Sequence, residues 1–184
     1  MKAFFVSVLL APFFILSSFA LEVGDDAPVF EGKLDSGETW KSADAGDKTV
    51  VVYFYPAAMT GGCTKQACGF RDSKEAFEKH NALVIGVSGD KPAGLALFKQ
   101  DSKLNFPLMA DPDGSIAKAF GVPTRKGGSL KRSVAGVEHT LERGVSAARW
   151  TFIIKDGKIL HKNDKVKAAE DSKAVLAILA NNKK

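Results

Sequence analysis

The sequence predicts an α/β fold in which a central, mostly parallel or mixed sheet is flanked by helices. Residues 48–55 (KTVVVYFY) and 82–88 (ALVIGVS) are continuous runs of β-branched and apolar side chains, typical of strands that are buried on both faces. Each run is followed by a segment whose apolar residues recur at helical spacing. Strands that alternate with helices in this way favour a largely parallel sheet.

Shorter elements fill the rest of the chain. Two apolar runs on either side of Asp35-Ser36-Gly37 predict an N-terminal β-hairpin. A second strand pair, 149–154 with 158–161, is expected around an Asp156-Gly157 turn, and residues 106–110 are expected to form a short strand. Helical spacing predicts four helices, over 64–80, 92–103, 113–120 with Asp113 as the N-cap, and 166–181.

Residues 122–148 show no clear period. Four glycines in this stretch, at 127, 128, 136 and 144, predict a loose and turn-rich loop. A loop of that length is uncommon in a compact domain and is often functional or mobile. We interpret it as an ordinary surface insertion or, alternatively, as a docking site.

The first twenty residues have the pattern of a secretory signal peptide. Met1-Lys2 gives a basic start, an uncharged apolar stretch follows, and Ser18-Phe19-Ala20 is a small-x-small end. Cleavage after Ala20 leaves residues 21–184 as one domain and predicts a periplasmic or otherwise exported protein. An uncleaved membrane anchor is the alternative, because the stretch is nearly long enough to span a bilayer.

Charge and histidine spacing exclude two kinds of partner. The formal net charge is +5, and the lysines are scattered rather than gathered in a basic stripe with interleaved aromatic residues. We therefore expect no nucleic-acid partner. His80, His139 and His161 lie far apart in the chain and lack metal-ligand spacing, so we also expect no metal site.

Cys63 and Cys68 are the only cysteines, and they carry the strongest functional signal. They follow a buried strand at the expected start of a helix, where the helix dipole favours a thiolate. Export would ordinarily suggest a structural disulfide. On a continuous helix, however, Cα atoms five residues apart lie about 8–9 Å from each other, beyond the roughly 7 Å that a disulfide bridges. A transient redox bond, formed when the helix unwinds, therefore fits better than a permanent one.

The residues before Cys63 would suit a small polar electrophile. Gly61 and Gly62 let the backbone bend closely around it, Thr60 brings a hydroxyl, and free amide groups at the helix start would hold an oxygen atom beside the sulfur. Pro56 fixes the direction in which the chain leaves the strand. Pro56 and Thr60 also have purely structural interpretations, as the end of the strand and the cap of the helix.

Taken together, Pro56, Thr60 and Cys63 form the pattern Pro-x-x-x-Thr-x-x-Cys, which resembles the active-site signature of the peroxiredoxins. The run 63–72 (CTKQACGFRD), with its second cysteine five residues on, is similar to the bacterioferritin-comigratory or PrxQ branch. Three later blocks resemble that branch in the same order: VIGVSGD, FPLMADPDGSIAKAFGV and RWTFIIKDGKI. The resemblance implies a thioredoxin-like fold.

The resemblance also implies a role for each matching residue. Cys63 matches the peroxidatic cysteine, and Cys68 matches the resolving cysteine of the intramolecular two-cysteine type. Thr60 matches the hydroxyl that hydrogen-bonds the peroxide and the thiolate, and Pro56 matches the residue that shields the sulfur from water. Arg149 matches the arginine that stabilises the thiolate and polarises the peroxide.

The activity expected from the resemblance is that of a thiol-dependent peroxidase. Cys63 attacks a peroxide held by Thr60, Gly62 and Arg149 and becomes a sulfenic acid. Cys68 then condenses with it to a disulfide, which a thioredoxin-like dithiol reduces by exchange. We expect no metal or organic cofactor, and the branch favours a monomer.

The chain departs from the branch at two positions near the cysteine, where relatives often have Pro and Glu. Gly61 should leave the loop more flexible. Gln66 either removes a negative charge near the sulfur or breaks a carboxylate–arginine link. The long insertion before Arg149 is also atypical.

Two other functions stay open. A thioredoxin-like fold is compatible with a thiol–disulfide oxidoreductase that acts on proteins, although the chain has no Cys-x-x-Cys. The other is a non-catalytic secreted binding domain with a fixed disulfide, which would stabilise the fold by roughly 2–4 kcal/mol.

Overall fold

The computed structural model describes residues 21–182. The expected leader at 1–20 lies outside the described residues, and its cleavage therefore stays a prediction. Within 21–182, every helix is too short or too polar to cross a bilayer.

The described part of the chain forms nine strands and five α-helices. The strands are β1 (Glu31–Leu34), β2 (Thr39–Lys41), β3 (Thr49–Phe54), β4 (Ala82–Ser88), β5 (Leu108–Ala110), β6 (Thr124–Val134), β7 (Val137–Ala147), β8 (Trp150–Lys155) and β9 (Lys158–Asn163). The helices are α1 (Gly61–Asp72), α2 (Lys74–Glu78), α3 (Pro92–Ser102), α4 (Ser115–Ala119) and α5 (Asp171–Asn181).

Seven strands form one mixed sheet in the order β2-β1-β5-β4-β3-β8-β9. Only the central pairs β3–β4 and β4–β5 are parallel, and all other neighbours are antiparallel. Every residue of β3 is buried, as its continuous apolar run predicts. The N-terminal hairpin β1–β2 and the β8–β9 pair confirm the strand pairs expected from their turns.

The core lies on both faces of this sheet, because successive side chains of β3 point to opposite sides. Val51 and Tyr53 face a layer formed by α1, α2, α3 and α5. Val50, Val52 and Phe54 face the other layer, which contains α4 and the segment before β1. Helices therefore cover both faces, as the α/β prediction requires.

Three expected helices differ in their bounds, and the one expected over 166–181 begins only at Asp171. The helix expected over 64–80 is interrupted at Ser73, which separates α1 from α2. In α4, Gly114 rather than Asp113 occupies the N-cap position. Two carboxylates share the amides of the first turn. Asp113 accepts from Ser115 N at 3.1 Å, as a capping side chain would, and Asp111, just after β5, accepts from Ile116 N at 3.0 Å and Ala117 N at 2.9 Å.

The loop expected over 122–148 is wrong, because this segment is a long antiparallel hairpin. Its strands β6 and β7 have eleven residues each and pair from Thr124↔Ala147 to Val134↔Val137. The turn at Ala135-Gly136 has positive φ at both residues, 50° and 83°, as type I′ hairpin turns require. Seven of the eleven residues of β6 and five of the eleven residues of β7 are exposed, and the alternation of apolar and polar residues that reveals a half-buried strand is missing.

Two glycines let the base of this hairpin pack closely against the rest of the domain. A Cβ on Gly144 would lie 1.9 Å from the Pro112 carbonyl oxygen, and one on Gly89 would lie 2.0 Å from the Val145 carbonyl oxygen. The Gly144 amide donates to the Gly89 carbonyl at 3.0 Å. At least these two glycines therefore serve close backbone packing rather than a loose path.

Candidate active site

Cys63 lies in the first turn of α1, with 2% of its surface exposed. The first hydrogen bond of the helix runs from the Thr64 amide to the Thr60 carbonyl, at 2.8 Å. The amides of residues 61–63 precede it and have no partner within the helix. Arg149, which directly precedes β8, donates from Nη2 to Cys63 Sγ at 3.1 Å. The sulfur thus faces both a guanidinium and the positive end of a helix, which are the surroundings in which reactive cysteines are found.

The loop between β3 and α1 supplies Pro56 and Thr60. The Thr60 hydroxyl donates to the Ala57 carbonyl at 2.9 Å, which leaves its lone pairs free to accept a hydrogen bond. Within residues 21–182 it makes no hydrogen bond to Cys63, so the role assigned to this hydroxyl stays a prediction. Pro56 is half-buried, and its carbonyl accepts the Ser146 hydroxyl at 3.1 Å.

Gly62 lies under the guanidinium of Arg149. A Cβ at Gly62 would lie 3.5 Å from Arg149 Nη2, which is an ordinary contact distance. The structure therefore brings Gly62, Cys63 and Arg149 together at the first turn of α1, and the roles assigned to them stay predictions. Gly61 has open space around it, with no heavy atom within 4 Å of an added Cβ.

Gln66 connects Arg149 to a buried carboxylate. Arg149 Nη1 donates to Gln66 Oε1, and Gln66 Nε2 donates to Asp171 Oδ2 at 2.7 Å. Thr151 Oγ1 donates to the same Asp171 oxygen at 2.8 Å. Gln66 therefore keeps the link to the arginine through its amide oxygen, and what changes relative to a glutamate is the charge. The nearest carboxylate in this chain of contacts lies on α5 instead of α1.

Burial is the main cause of the pKa shifts of two groups near Cys63, Asp171 and Tyr53. It raises the pKa of the Asp171 carboxyl, although the hydrogen bonds from Gln66 and Thr151 oppose the shift. It also raises the pKa of the Tyr53 hydroxyl well above its ordinary value, with the charges of Cys63 and Asp171 adding to the effect. Tyr53 is therefore a neutral phenol at physiological pH.

A second buried carboxylate holds the loop from the other side. Asp90 Oδ2 accepts the Ala58 amide at 2.8 Å and the Ser88 hydroxyl at 2.9 Å. Burial raises the pKa of Asp90, and Arg143 from β7 faces its other oxygen at 3.9 Å. Neither site-shaping carboxylate was found from the sequence. Asp90 gave a weak signal as an acid at the end of a buried strand, whereas Asp171 has the same appearance as any exposed acid in a first helical turn.

The hairpin also contacts this loop directly. Met59 has a left-handed backbone with φ of 58°, and its carbonyl accepts Arg132 Nε from β6 at 3.1 Å. Together with Ser146 and Arg143, this gives the hairpin three polar contacts around the residues that precede Cys63. The segment 122–148 is thus part of the wall of the site. Its use as a docking surface stays a prediction.

Cys68 is half-buried on the same continuous helix as Cys63, and both thiols are free. An unbroken helix keeps their Cα atoms about 8–9 Å apart, so a bond between them requires unwinding of α1. This arrangement counts against a permanent disulfide. Among residues 21–182, no group of three His, Cys, Asp or Glu side chains is placed to hold a metal ion.

The comparisons with known proteins identify the class of protein that this site defines. The model of the AhpC/TSA family matches residues 23–162. Peroxiredoxin Bcp from Bacillus subtilis is 39% identical over 151 residues, which are 82% of this chain and 89% of that protein. Peroxiredoxin Bcp from Escherichia coli is 38% identical over 157 residues, covering 85% and 94%. The chain therefore belongs to the AhpC/TSA family, and it is a peroxiredoxin, a thiol-dependent peroxidase.

Solved structures place it in the Bcp or PrxQ branch and confirm the thioredoxin-like fold. Peroxidoxin BcpB from Mycobacterium tuberculosis has a TM-score of 0.75 at 31% identity, over 89% of this chain and 99% of that one. Peroxiredoxin Q from Xanthomonas campestris has a TM-score of 0.71 at 26% identity, over 91% and 100%.

Proposed function

We propose that Cys63 is the peroxidatic cysteine, that Cys68 resolves it within the same chain, and that Arg149 activates the reaction. The observation that carries this proposal is the 3.1 Å contact between Arg149 Nη2 and Cys63 Sγ at the start of α1. Of the two thiols, only Cys63 has both a guanidinium hydrogen bond to its sulfur and a place in the first turn of the helix.

The first step is a displacement on the peroxide. The Cys63 thiolate attacks one oxygen of ROOH, so an S–O bond forms while the O–O bond breaks, and the sulfur is oxidised to a sulfenic acid. The leaving RO⁻ takes a proton from solvent. Arg149 and the free amides of residues 61–63 stabilise the negative charge that passes from the sulfur to the leaving oxygen. The Thr60 hydroxyl donates to Ala57, so it accepts a hydrogen bond beside the same oxygen atoms.

The second step joins the two sulfurs. After α1 unwinds, the Cys68 thiol attacks the sulfenic sulfur, and water leaves as the disulfide forms. A thioredoxin-like dithiol then reduces the disulfide by exchange. The unbroken helix and the free thiols support a disulfide that is transient rather than structural.

Organic hydroperoxides, along with hydrogen peroxide, are the proposed substrates. The bacterioferritin comigratory protein of Xanthomonas campestris, described for its alkyl peroxide reduction activity, is 27% identical to this chain with a TM-score of 0.70. We further propose that the leader at 1–20 exports the protein to the periplasm or a similar compartment, on the pattern of its basic start, apolar stretch and small-x-small end. The proposed active form is a monomer.

The decisive experiment is single-turnover oxidation of the fully reduced protein, followed by mass spectrometry of the cysteine peptides. Wild type should form a Cys63–Cys68 disulfide with one equivalent of hydrogen peroxide or an alkyl hydroperoxide. Cys63→Ser should not react. Cys68→Ser should react once and stop at the sulfenic acid. Comparable peroxide consumption by Cys63→Ser, or reduction of insulin faster than of peroxide, would overturn the proposal.

A further inference from the structure

Gln66 lies between the two cysteines on α1, and its side chain binds a residue of α5, the last helix of the domain. Its side chain is fully buried. It accepts from Arg149 and donates to Asp171, the first residue of α5, at 2.7 Å. Through Gln66, the contact between α1 and α5 continues to the guanidinium that binds the Cys63 sulfur.

Asp171 decides which way the Gln66 amide faces. A carboxylate accepts hydrogen bonds only, so the NH₂ group of Gln66 must point to Asp171 and the amide oxygen must point to Arg149. The opposite orientation would place an NH₂ group against the guanidinium. Residues three apart share one face of a helix, so Arg149 can bind Cys63 and Gln66 together with its two terminal nitrogens. Asp171 thereby fixes the direction from which Arg149 approaches the sulfur.

The same contact opposes the unwinding of α1. If residues 63–68 leave the helix, Gln66 leaves Asp171, and a buried carboxylate loses one of its two hydrogen bonds. A buried polar group that is left without a hydrogen-bond partner is costly, so the bond favours the intact helix. In that form Cys63 can meet a peroxide but not Cys68.

We propose that Asp171 is a positioning residue for the peroxidase site and that its bond to Gln66 is a latch on α1, which must open before Cys68 reaches Cys63. The proposal rests on the roles proposed above for the two cysteines. The latch therefore determines what fraction of the Cys63 sulfenic acid follows each of two reactions.

The reaction of the sulfenic acid with Cys68 gives a disulfide and water. With a second ROOH the sulfenic sulfur is oxidised further, and the products are Cys63 sulfinic acid and ROH.

Asp171→Ala tests the latch by stopped flow on the reduced protein, with tryptophan fluorescence as the signal, because Trp150 is the neighbour of Arg149. Oxidation of Cys63 should slow about three- to tenfold, the effect of one hydrogen bond. Disulfide formation should instead become faster by about the same factor, and the fraction of sulfinic acid at high peroxide should fall. Two rates that move in opposite directions are not expected from general disorder of the site.

Asp171→Asn is the conservative variant. Its oxygen can accept from Gln66 and Thr151 while its NH₂ group takes the place of Asp171 Oδ1, which has no hydrogen-bond partner within residues 21–182. Both rates should therefore return toward wild type. Ser172→Ala is the matched control, because Ser172 is buried at the next position of α5 against Gly69 and lies outside the hydrogen-bond chain. Its rates should equal those of wild type.

The outcomes separate the latch from the proposed function. If wild type fails to oxidise at Cys63, the proposed function fails and the latch with it. If wild type forms the disulfide but Asp171→Ala keeps both rates, or slows both together, only the latch is wrong. Should Asp171→Ala not fold, Gln66→Leu breaks the same bond from α1 and must show faster disulfide formation; an unchanged or slower rate overturns the latch.

Discussion

Replacing Arg149 by methionine isolates the contact on which the proposed chemistry depends. Methionine keeps much of the aliphatic length of the side chain but removes the hydrogen bond from Nη2 to the Cys63 sulfur, at 3.1 Å. Hydrogen bonds that involve a charged group are worth about 1.5–3 kcal/mol. At about 1.4 kcal/mol for each tenfold change in rate, the second-order rate constant for peroxide should fall roughly 10- to 150-fold. Arg149 is half-buried, so screening by solvent favours the lower part of this range.

The assay is the peroxide dependence of the stopped-flow oxidation of reduced protein at neutral pH. Arg125→Met is the matched control, because it removes an exposed guanidinium from β6 and changes the net charge equally. The control should stay within twofold of wild type. A fall of less than about threefold in Arg149→Met, with the control unchanged, would refute the argument that this guanidinium activates the sulfur.

Three further predictions concern the hairpin and the response to pH. Leu141→Ala should lower the free energy of unfolding by about 2–5 kcal/mol, since Leu141 is only 1% exposed in the core; a loss below about 1 kcal/mol in urea denaturation would show that the hairpin packs independently. Arg132→Ala should speed amide hydrogen exchange in the Met59 loop about fivefold, through loss of one hydrogen bond, and unchanged exchange would contradict the contact. Burial lowers the pKa of His161 below 6.5, so the stability that its neutral form supports is present above pH 6.5 and is lost as the pH falls through the lowered value. Over that acid range, His161→Gln should lose less stability than wild type. Parallel curves of unfolding free energy against pH would refute the assignment.

The central strands of the sheet could be predicted because their residues all lie in the same buried, apolar environment. The run at 48–55 is apolar throughout since β3 is buried on both faces, and the Asp156-Gly157 turn follows from local backbone preferences. The hairpin at 124–147 was missed for the opposite reason. Its exposed strands carry no apolar alternation, and the type I′ turn is formed by Ala135-Gly136 rather than by the Asn-Gly or Asp-Gly that usually signals it.

The site divides in a similar way. Cys63, Thr60 and Gly62 are neighbours in sequence, so their spacing on a helix start could be derived, and Arg149 was reached only through the resemblance to a family. Asp171 is 105 residues away from Gln66, and no local pattern shows that the two side chains meet. Long-range polar contacts of this kind depend on how α5 packs against α1. The spacing of apolar residues within either helix does not determine that packing.

The hairpin provides a natural attachment point for a probe. Its base is held by backbone contacts too close for any side chain at Gly89 or Gly144, whereas Ala135 and Gly136 at its tip are exposed. Arg132, three residues before Ala135, touches the Met59 carbonyl. A fluorophore attached at the tip would therefore lie on a hairpin that contacts the loop before Cys63, and it would modify neither thiol.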